Sequence, residues 1–425
     1  MQTPGSPRPS TSLAPAAAPI SQSRSEVFAA LRHRNFQLYF AGQLVSNAGT
    51  WMQVIAQGWL VYQISHSDLA LGLVGFASAI PSLLATPWGG VVVDRVPKRT
   101  LLILTQTGAM LLAFILAALA FTGLVQQWHI IVLAAALGLV NSFDSPGRQA
   151  FVVEMVGRDD MPNAIALNSL MFNSARVIGP ALGGLLLAVV GAAWCFTING
   201  ISYLAVIWSL LAMELHAQGT KVAPESPWKQ FVQGIRHASD KTELGGLILI
   251  SLIFSVFAIS YIPLLPGFVQ EVLNQGAAAY GWLTAAFGTG AVVGALIIAN
   301  RPKPGWRGNW LFVANILFPI MLSVFVFNTV LPLSYVLEFA MGFAFMVEYT
   351  MINTLLQNLV VDEMRGRIMG LYTITFLGFA PFGNLALGAL ASRIGLSYSI
   401  TLFAAISLVL SQIVFRRVPQ MTKLE

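Results

Sequence analysis

Long apolar runs alternate with short polar connectors along the chain. A bilayer core of about 30 Å requires about 20 apolar residues per helix, and twelve runs meet that length. We predict transmembrane helices at 37–63, 69–92, 100–124, 128–149, 163–189, 193–213, 245–270, 278–300, 308–328, 332–356, 366–390 and 396–415. The connector between the sixth and seventh runs is longer and mostly polar, so it divides the predicted helices six and six.

This division predicts five segments. They are a disordered cytoplasmic N-terminal tail (1–34), a six-helix bundle (35–213), a cytoplasmic linker (214–244), a second six-helix bundle (245–416) and a cytoplasmic C-terminal tail (417–425). The first segment is rich in Pro, Ser and Ala and lacks the apolar block of a secretory signal.

Within the linker, 227–240 has the pattern of an amphipathic helix. Trp228, Phe231 and Ile235 lie on one side, opposite Lys229 and Arg236. Such a helix is expected to lie on the cytoplasmic membrane surface.

Composition supports an integral membrane protein. Of the 425 residues, 56% are hydrophobic and 9% are charged, whereas soluble domains contain about 25% charged residues. The single cysteine, Cys195, excludes a disulfide framework and a cysteine-based metal cluster, and its apolar surroundings indicate a core position. The sequence contains no phosphate-binding loop, metal-ligand spacing or nucleophile–base pair. We therefore predict neither an enzyme nor a bound cofactor.

The net charge of +6 is distributed unevenly. All but two of the 23 Lys and Arg residues lie at the side of the membrane that carries both chain ends. The exceptions are Arg393 in an opposite loop and Arg176 within a predicted helix. Because cytoplasmic loops are rich in Lys and Arg, this pattern predicts that both ends are cytoplasmic. This distribution of Lys and Arg explains the positive net charge, so no nucleic-acid partner is needed to explain it.

The two halves show a weak internal repeat. Gly72 near the start of the second helix corresponds to Gly281 in the eighth at an offset of about 209 residues, and 159–167 is similar to 362–370. Two bundles related by a parallel repeat place a substrate site between them, near the midplane of the bilayer.

The loop after the second helix, 89–102, contains Gly90, Asp94, Arg95 and Lys98, followed by Arg99. This spacing resembles the signature loop of the major facilitator superfamily, although Pro97 replaces the usual small residue. The corresponding loop at 299–307 has lost the pattern. The resemblance implies an all-α fold of twelve helices whose substrate site is accessible from one side of the membrane at a time.

Two longer stretches, 144–184 and 354–373, are similar to the branch of this superfamily that contains the enterobactin exporter and macrolide efflux proteins. Within the first stretch, a glycine-rich segment resembles the fifth-helix motif of antiporters. Its residues are Gly179, Pro180, Gly183 and Gly184. The resemblance implies a monomeric transporter of a small molecule in the bacterial inner membrane, driven by the proton gradient.

Family resemblance also implies a latch that holds the outward-open state. Asp94 would accept hydrogen bonds from the start of the eleventh helix near Gly366, where the helix dipole favours negative charge. Lys98 and Asp144 would belong to the same polar cluster. The alternative is a basic loop that sets topology, with Asp94 solvated. Asp144 and Arg148 can pair one turn apart, either in this cluster or as an interfacial ion pair.

Charged groups inside spans cost about 2.5–3.5 kcal/mol on insertion scales, so they indicate function by default. Arg176 lies near the midplane and shares a helix face with Ser169 and Asn173. It is predicted either to line a central cavity, binding an anion or a proton-carrying acid, or to lock two helices through an ion pair. Glu348 is the preferred proton carrier, and Glu338 is expected near the outer mouth.

The first helix carries a polar stripe of Gln43, Asn47, Thr50 and Gln57. It either lines the cavity or forms hydrogen bonds within the bundle. Four aromatic residues could form an apolar wall for an aromatic substrate, namely Trp51, Phe172, Tyr349 and Phe376.

Together these features predict proton-coupled efflux of a small amphipathic molecule such as a siderophore, a drug or a secondary metabolite. The alternatives are a lysophospholipid flippase or an importer of the same fold, and a membrane sensor that transports nothing.

Overall fold

The computed structural model describes residues 29–157, 159–214, 241–300 and 306–424, and all regular structure within them is helical. The predicted amphipathic helix and most of the N-terminal tail lie outside the described residues. In the first half, a short 3₁₀ turn (Ala29–Arg32) is followed by α1 (Arg34–Ser65), α2 (Asp68–Arg95), α3 (Lys98–Phe121), α4 (Gln127–Val156), α5 (Met161–Val190) and α6 (Ala192–Ala212).

The second half contains two interrupted helices. Helix α7 spans Thr242–Glu271 and includes a π-helical turn (Phe254–Ala258) and a 3₁₀ segment (Ile259–Leu264). Helix α11 runs from Asp362–Thr373 through a second π-helical turn (Ile374–Gly378) into Ala380–Ile394. The other helices are α8 (Ala277–Ala299), α9 (Arg307–Phe325), α10 (Leu331–Leu359) and α12 (Leu396–Arg417), and a 3₁₀ turn (Pro419–Lys423) follows.

Eleven helices in the described residues are long and apolar enough to cross a membrane. The exception is α1, whose apolar character is lowered by side chains such as Gln43, Asn47, Gln53 and Gln57. Its length is sufficient, because 32 residues at 1.5 Å per residue span about 48 Å. The chain is therefore an all-helical, multi-pass membrane protein.

The helix ends define two faces of the molecule. We call the face with the start of α1 and the end of α12 the terminal face, and the opposite one, where α1 ends and α2 begins, the distal face. At the terminal face, the Gly308 backbone N–H donates to the Leu424 carbonyl at 3.2 Å, and Met421 is fully buried. The described part of the predicted C-terminal tail is therefore folded against the helices.

Helices pack mainly within each half of the chain. In the first half, α1 packs against α5 and α6, α2 against α4, and α3 against α4 and α6. In the second half, α10 packs against α8 and α9, and α12 packs against α9 and α11. The halves meet mainly along two pairs, α2 with α11 and α5 with α8, and α7 also contacts α1 and α2.

Close contact between the halves runs along these pairs from the distal face to mid-depth. A Cβ atom on Gly72 would lie 2.6 Å from the Asn384 carbonyl oxygen, and one on Gly184 would lie 2.6 Å from the Gly281 Cα. Towards the terminal face, a Cβ on Gly90 or Gly370 would meet nothing within 4 Å. The halves therefore separate towards the terminal face and leave an opening on that side.

The two π-helical turns face each other. The Ser255 hydroxyl in α7 donates to the Phe376 carbonyl in α11 at 2.5 Å. A π-helical turn displaces carbonyls from regular helical bonding, and a side-chain donor from a neighbouring helix can satisfy them inside a membrane. This bond joins the interrupted segments of both helices beside the opening.

Candidate functional site

Arg176 lies at the centre of the molecule. It is midway along α5, roughly 22 Å from either end at 1.5 Å per residue. The Cζ atom of its guanidinium lies 5.9 Å from the ring centroid of Trp51 in α1, 5.6 Å from Phe287 in α8 and 5.1 Å from Phe345 in α10. Aromatic residues from both halves therefore enclose one cation. We call this group the aromatic cage.

Arg176 forms no ion pair with any residue that the structure describes. The alternative in which it locks two helices through an ion pair is therefore wrong for this conformation. Cation–π contacts stabilise a desolvated cation by about 2 kcal/mol, less than the several kcal/mol that desolvation costs. The guanidinium of Arg176 therefore lies among aromatic rings without a carboxylate partner in the part of the chain that the structure describes.

The predicted aromatic wall surrounds the cage. Phe172 is 49% exposed and meets the Trp51 ring edge-on at 6.0 Å. On the other side, Tyr349 is 38% exposed, stacks on Phe345 at 6.3 Å and packs against Phe376 at 5.2 Å. These exposed rings form an apolar surface that flanks the guanidinium.

Asn173 lies one turn from Arg176 on the terminal side of the cage. It is partly buried, and its side-chain amide donates to the Ser169 carbonyl at 2.8 Å. Its side-chain oxygen accepts no hydrogen bond from the described residues. That oxygen can therefore accept from a ligand beside Arg176.

Glu338 is connected to the cage through Tyr261. It is 1% exposed and accepts a hydrogen bond of 3.0 Å from the Tyr261 hydroxyl of α7. Its other oxygen has no partner within the described ranges, and Tyr261 interacts electrostatically with Arg176. Glu338 was expected near an outer mouth. It lies about 10 Å from the distal end of α10, beneath a closed face.

Glu348 points away from the cage. It is fully buried, and neither carboxylate oxygen has a hydrogen-bond partner in the part of the chain that the structure describes. Its neighbour is Asn315 of α9, whose side-chain oxygen accepts from Ser411 of α12 at 3.2 Å. The adjacent residue Tyr349 faces the opening instead. The structure thus places Glu348 in the interior of the second half, away from the predicted cavity wall.

The polar stripe of α1 is divided between two environments. Gln43 is 1% exposed and accepts a hydrogen bond from Arg148, so it belongs to the core of the first half and lines no cavity. Asn47 and Gln57 are partly buried and form no side-chain hydrogen bond with the described residues. Gln53, which was not included in the predicted polar stripe, accepts a hydrogen bond of 2.7 Å from Asn199 of α6.

A buried ion pair joins three helices of the first half. Asp144 is 4% exposed and accepts from the Thr105 hydroxyl and the Gln106 amide of α3, each at 2.7 Å, and from Arg148. Arg148 also donates to Gln43, while the Oε1 atom of Gln106 has no hydrogen-bond partner among the described residues. The pair is therefore buried in the core and not interfacial. Thr105 and Gln106 were not predicted as site residues, because only their polarity distinguishes them within the apolar sequence of α3.

The predicted latch is not assembled in this conformation. Asp94 and Arg95 are exposed, and Asp94 has no hydrogen-bond partner among the described residues. Lys98 donates to Glu154 of α4 at 2.5 Å and not to Asp144, so the expected three-residue cluster does not form here. The open contact at Gly90 agrees with a terminal face on which the halves are separated.

The glycine-rich motif packs α5 against helices of both halves. Cβ atoms on Gly179 and Gly183 would lie 2.5 Å from Trp51 and 2.9 Å from Met52 of α1. Pro180 is buried beside them, and its carbonyl lies against Gly281 of α8, as does Gly184. The motif therefore fixes the position of Arg176, which lies one turn before it.

Replacing Arg148 by methionine is expected to lower the free energy of unfolding by about 3–5 kcal/mol, because Asp144 would stay buried without its cation. Thermal unfolding in detergent measures the change. The control is Arg34→Met, which removes an exposed pair with Glu214 and is expected to cost about 1 kcal/mol or less. Adding Asp144→Asn to Arg148→Met should restore part of the loss. Equal losses from Arg148→Met and Arg34→Met would contradict the importance assigned to the buried network.

Residues 25–425 match a protein family described as transmembrane secretion effectors. The chain belongs to this family of the major facilitator superfamily. It is a multi-pass membrane transporter and not an enzyme.

Characterised relatives of the transporter are distant but nearly full-length. The staphyloferrin A transporter of Staphylococcus aureus is 26% identical, over 84% of this chain and 90% of its own length. The multidrug efflux pump Tap of Mycolicibacterium fortuitum is also 26% identical, over 86% of this chain and 90% of its own length.

Two solved structures share the fold of the transporter. One is a bacterial homologue of the human lysosomal transporter Spinster in an inward-facing, unoccupied conformation, with a TM-score of 0.68 and 15% identity, covering 94% of this chain and 98% of that one. The other is the nucleoside transporter NupG, with a TM-score of 0.67 and 12% identity, covering 92% of this chain and 100% of that one.

Proposed function

We propose that this transporter is a proton-coupled exporter of small amphipathic anions in the bacterial inner membrane. It alternates access between two six-helix bundles, α1–α6 and α7–α12, with α1 as the twelfth transmembrane helix. Both chain ends are cytoplasmic in this proposal, so the terminal face is cytoplasmic and the distal face is external. The structure then corresponds to an inward-open state.

Arg176 carries the proposal for the substrate. A cation at mid-depth, without an ionic partner among the described residues, favours a ligand that brings a negative charge. The aromatic cage and the exposed rings of Phe172 and Tyr349 favour an apolar or aromatic body beside that charge. The combination describes an amphipathic anion, and a siderophore or an acidic drug fits this class.

Three observations support export coupled to protons. The named relatives include an efflux pump and a siderophore transporter, and the glycine-rich motif of α5 resembles that of antiporters. In addition, Glu338 is a buried acid connected through Tyr261 to the cage. The vacant Arg176 cation favours the ionised form of a carboxyl group in such a position, and an anion bound at Arg176 removes that effect, so occupancy of the cage and protonation of Glu338 are coupled. We therefore favour Glu338 over Glu348 as the proton carrier.

A second candidate function is the movement of lysophospholipids between leaflets. A groove of about 820 Å³ opens on the flank of the molecule between α5, α8 and α10. It is almost entirely apolar and begins at Val177, the residue after Arg176. An acyl chain could occupy this groove while a phosphate group reaches the guanidinium.

Transport into inverted membrane vesicles tests both functions. With an acidic interior, we expect uptake of anionic aromatic amphiphiles to exceed uptake of matched neutral and cationic analogues, and to stop when a protonophore collapses the gradient. Vesicles without the transporter are the control. Uptake confined to a lysophospholipid would favour the second function. Uptake that ignores the gradient would rule out proton coupling, and no uptake of any compound would favour a sensor.

A further inference from the structure

Asp68, the first residue of α2, is enclosed at the distal face between helices of the other half. It is 8% exposed, and its Oδ1 atom has no hydrogen-bond partner among the described residues. A Cβ atom on Gly267 of α7 would lie 2.7 Å from that oxygen, and one on Gly388 of α11 would lie 2.7 Å from the Asp68 carbonyl. Asp68 thus occupies the seam that closes the distal face.

The surroundings of Asp68 contain one acidic side chain and, among the described residues, no cation that pairs with it. Glu271, at the end of α7, interacts electrostatically with Asp68 and accepts a hydrogen bond from the Tyr62 hydroxyl of α1. His66 of α1 is exposed and meets the Tyr62 ring edge-on at 6.0 Å, while Arg393 of α11 is exposed more than one turn beyond Gly388. Neither forms an ion pair with Asp68.

Burial changes which form of this carboxyl group is stable. An ionised carboxylate without a cation loses several kcal/mol of hydration when it is enclosed, and the neighbouring Glu271 adds repulsion. The first backbone amides of α2 offset only about 1 kcal/mol of this cost. A protonated carboxyl group avoids most of this cost. Separation of the halves at the distal face would return Asp68 to water, where the ionised form is stable.

We propose that Asp68 is a proton-binding gate residue: the distal face closes when Asp68 takes up a proton from that side, and it opens again when the proton returns to that side. The step is a reversible protonation of one carboxylate oxygen by water. The inference rests on the proposed alternating access. It adds a proton that controls closure, distinct from the proton exchanged for substrate at Glu338.

Distance measurements between spin labels test this gate without transport. Labels at Leu124→Cys and Val330→Cys, both exposed at the distal face and one in each half, are placed in a Cys195→Ala background of the full chain in lipid nanodiscs. Raising the pH is expected to increase the long-distance population. Because one proton is released, the ratio of open to closed molecules changes by up to about tenfold per pH unit.

Substitutions at this seam test whether Asp68 is the proton-binding residue. Asp68→Asn is expected to stay closed at every pH, whereas Asp68→Glu should keep a pH response. Glu271→Gln keeps an acceptor for Tyr62 but removes the charge that repels ionised Asp68 in the closed state, so closure should then persist to a higher pH. An Asp68→Asn protein with the wild-type pH response would overturn the inference. If that variant cannot be purified, an unchanged midpoint in Glu271→Gln would also overturn it. A transporter that shows the pH response but moves no substrate would contradict the proposed function and leave the gate intact.

Discussion

Arg176→Gln is expected to reduce the transport of anionic substrates by about 100-fold. The reason is that a charge-assisted hydrogen bond in a desolvated site contributes about 3 kcal/mol, and each 1.4 kcal/mol corresponds to a factor of ten. Glutamine retains hydrogen-bond donors but not the positive charge or the flat cation that stacks within the aromatic cage. Initial rates of uptake into inverted vesicles over a range of substrate concentrations measure the effect.

Arg176→Lys is the matched variant for the charge. Lysine keeps the charge as a compact ammonium group but loses the planar fork and its stacking, so we expect an intermediate loss of about tenfold. Transport of a neutral analogue, if it occurs at all, should change little in either variant. Equal losses for anionic and neutral compounds would mean that Arg176 supports the structure of the cage and does not recognise charge.

Gly184→Ala is expected to shift the transporter towards the state that is open at the distal face. The added methyl group would lie 2.6 Å from the Gly281 Cα and 2.9 Å from the Ala277 carbonyl oxygen, at the contact between α5 and α8. Overpacking of this kind costs about 1–3 kcal/mol. The cost falls on the distally closed state alone, so the ratio of the two states should change by about 10- to 100-fold. The spin labels at the distal face report this ratio directly.

Gly276→Ala is the control for this prediction. Gly276 precedes α8 at the same face with a φ of −91°, and a Cβ atom there would meet nothing within 4 Å. It should leave the distance distribution and the transport rate close to wild type. If Gly184→Ala and Gly276→Ala behave alike, the contact between Gly184 and Gly281 does not control closure.

The sequence predicted the helices well because lipid imposes a simple rule on them. A span must be long, apolar and internally hydrogen-bonded, and each of these properties is local. The predicted 163–189 and 332–356 fall within the observed Met161–Val190 and Leu331–Leu359. The interruptions of α7 and α11 were not predicted, because a π-helical turn depends on a partner such as the bond from Ser255 to Phe376.

The candidate site was predicted in part. Arg176 was identified because a charge inside a long apolar run is costly wherever it points. Its surroundings were not predictable, since Phe287 and Phe345 are distant in sequence and two among many aromatic residues. The surroundings of Glu348 were not predictable for a related reason. Helical periodicity gives the angle between two side chains of one helix, but it does not say which neighbouring helix lies at that angle.

By itself, then, the sequence determined the membrane as solvent, the number and approximate bounds of the apolar runs, the asymmetry of charge and the presence of a midplane cation. Each of these follows from the cost of placing polar or charged groups in hydrocarbon, which depends on residue type and position along one helix. The tertiary structure alone decided that Arg176 lies in an aromatic cage, that the Asp144–Arg148 pair is buried in the core of the first half, and that Asp68 is enclosed at the distal seam. These outcomes depend on how closely separate helices approach, within the first half for Asp144 and between the two halves for Arg176 and Asp68.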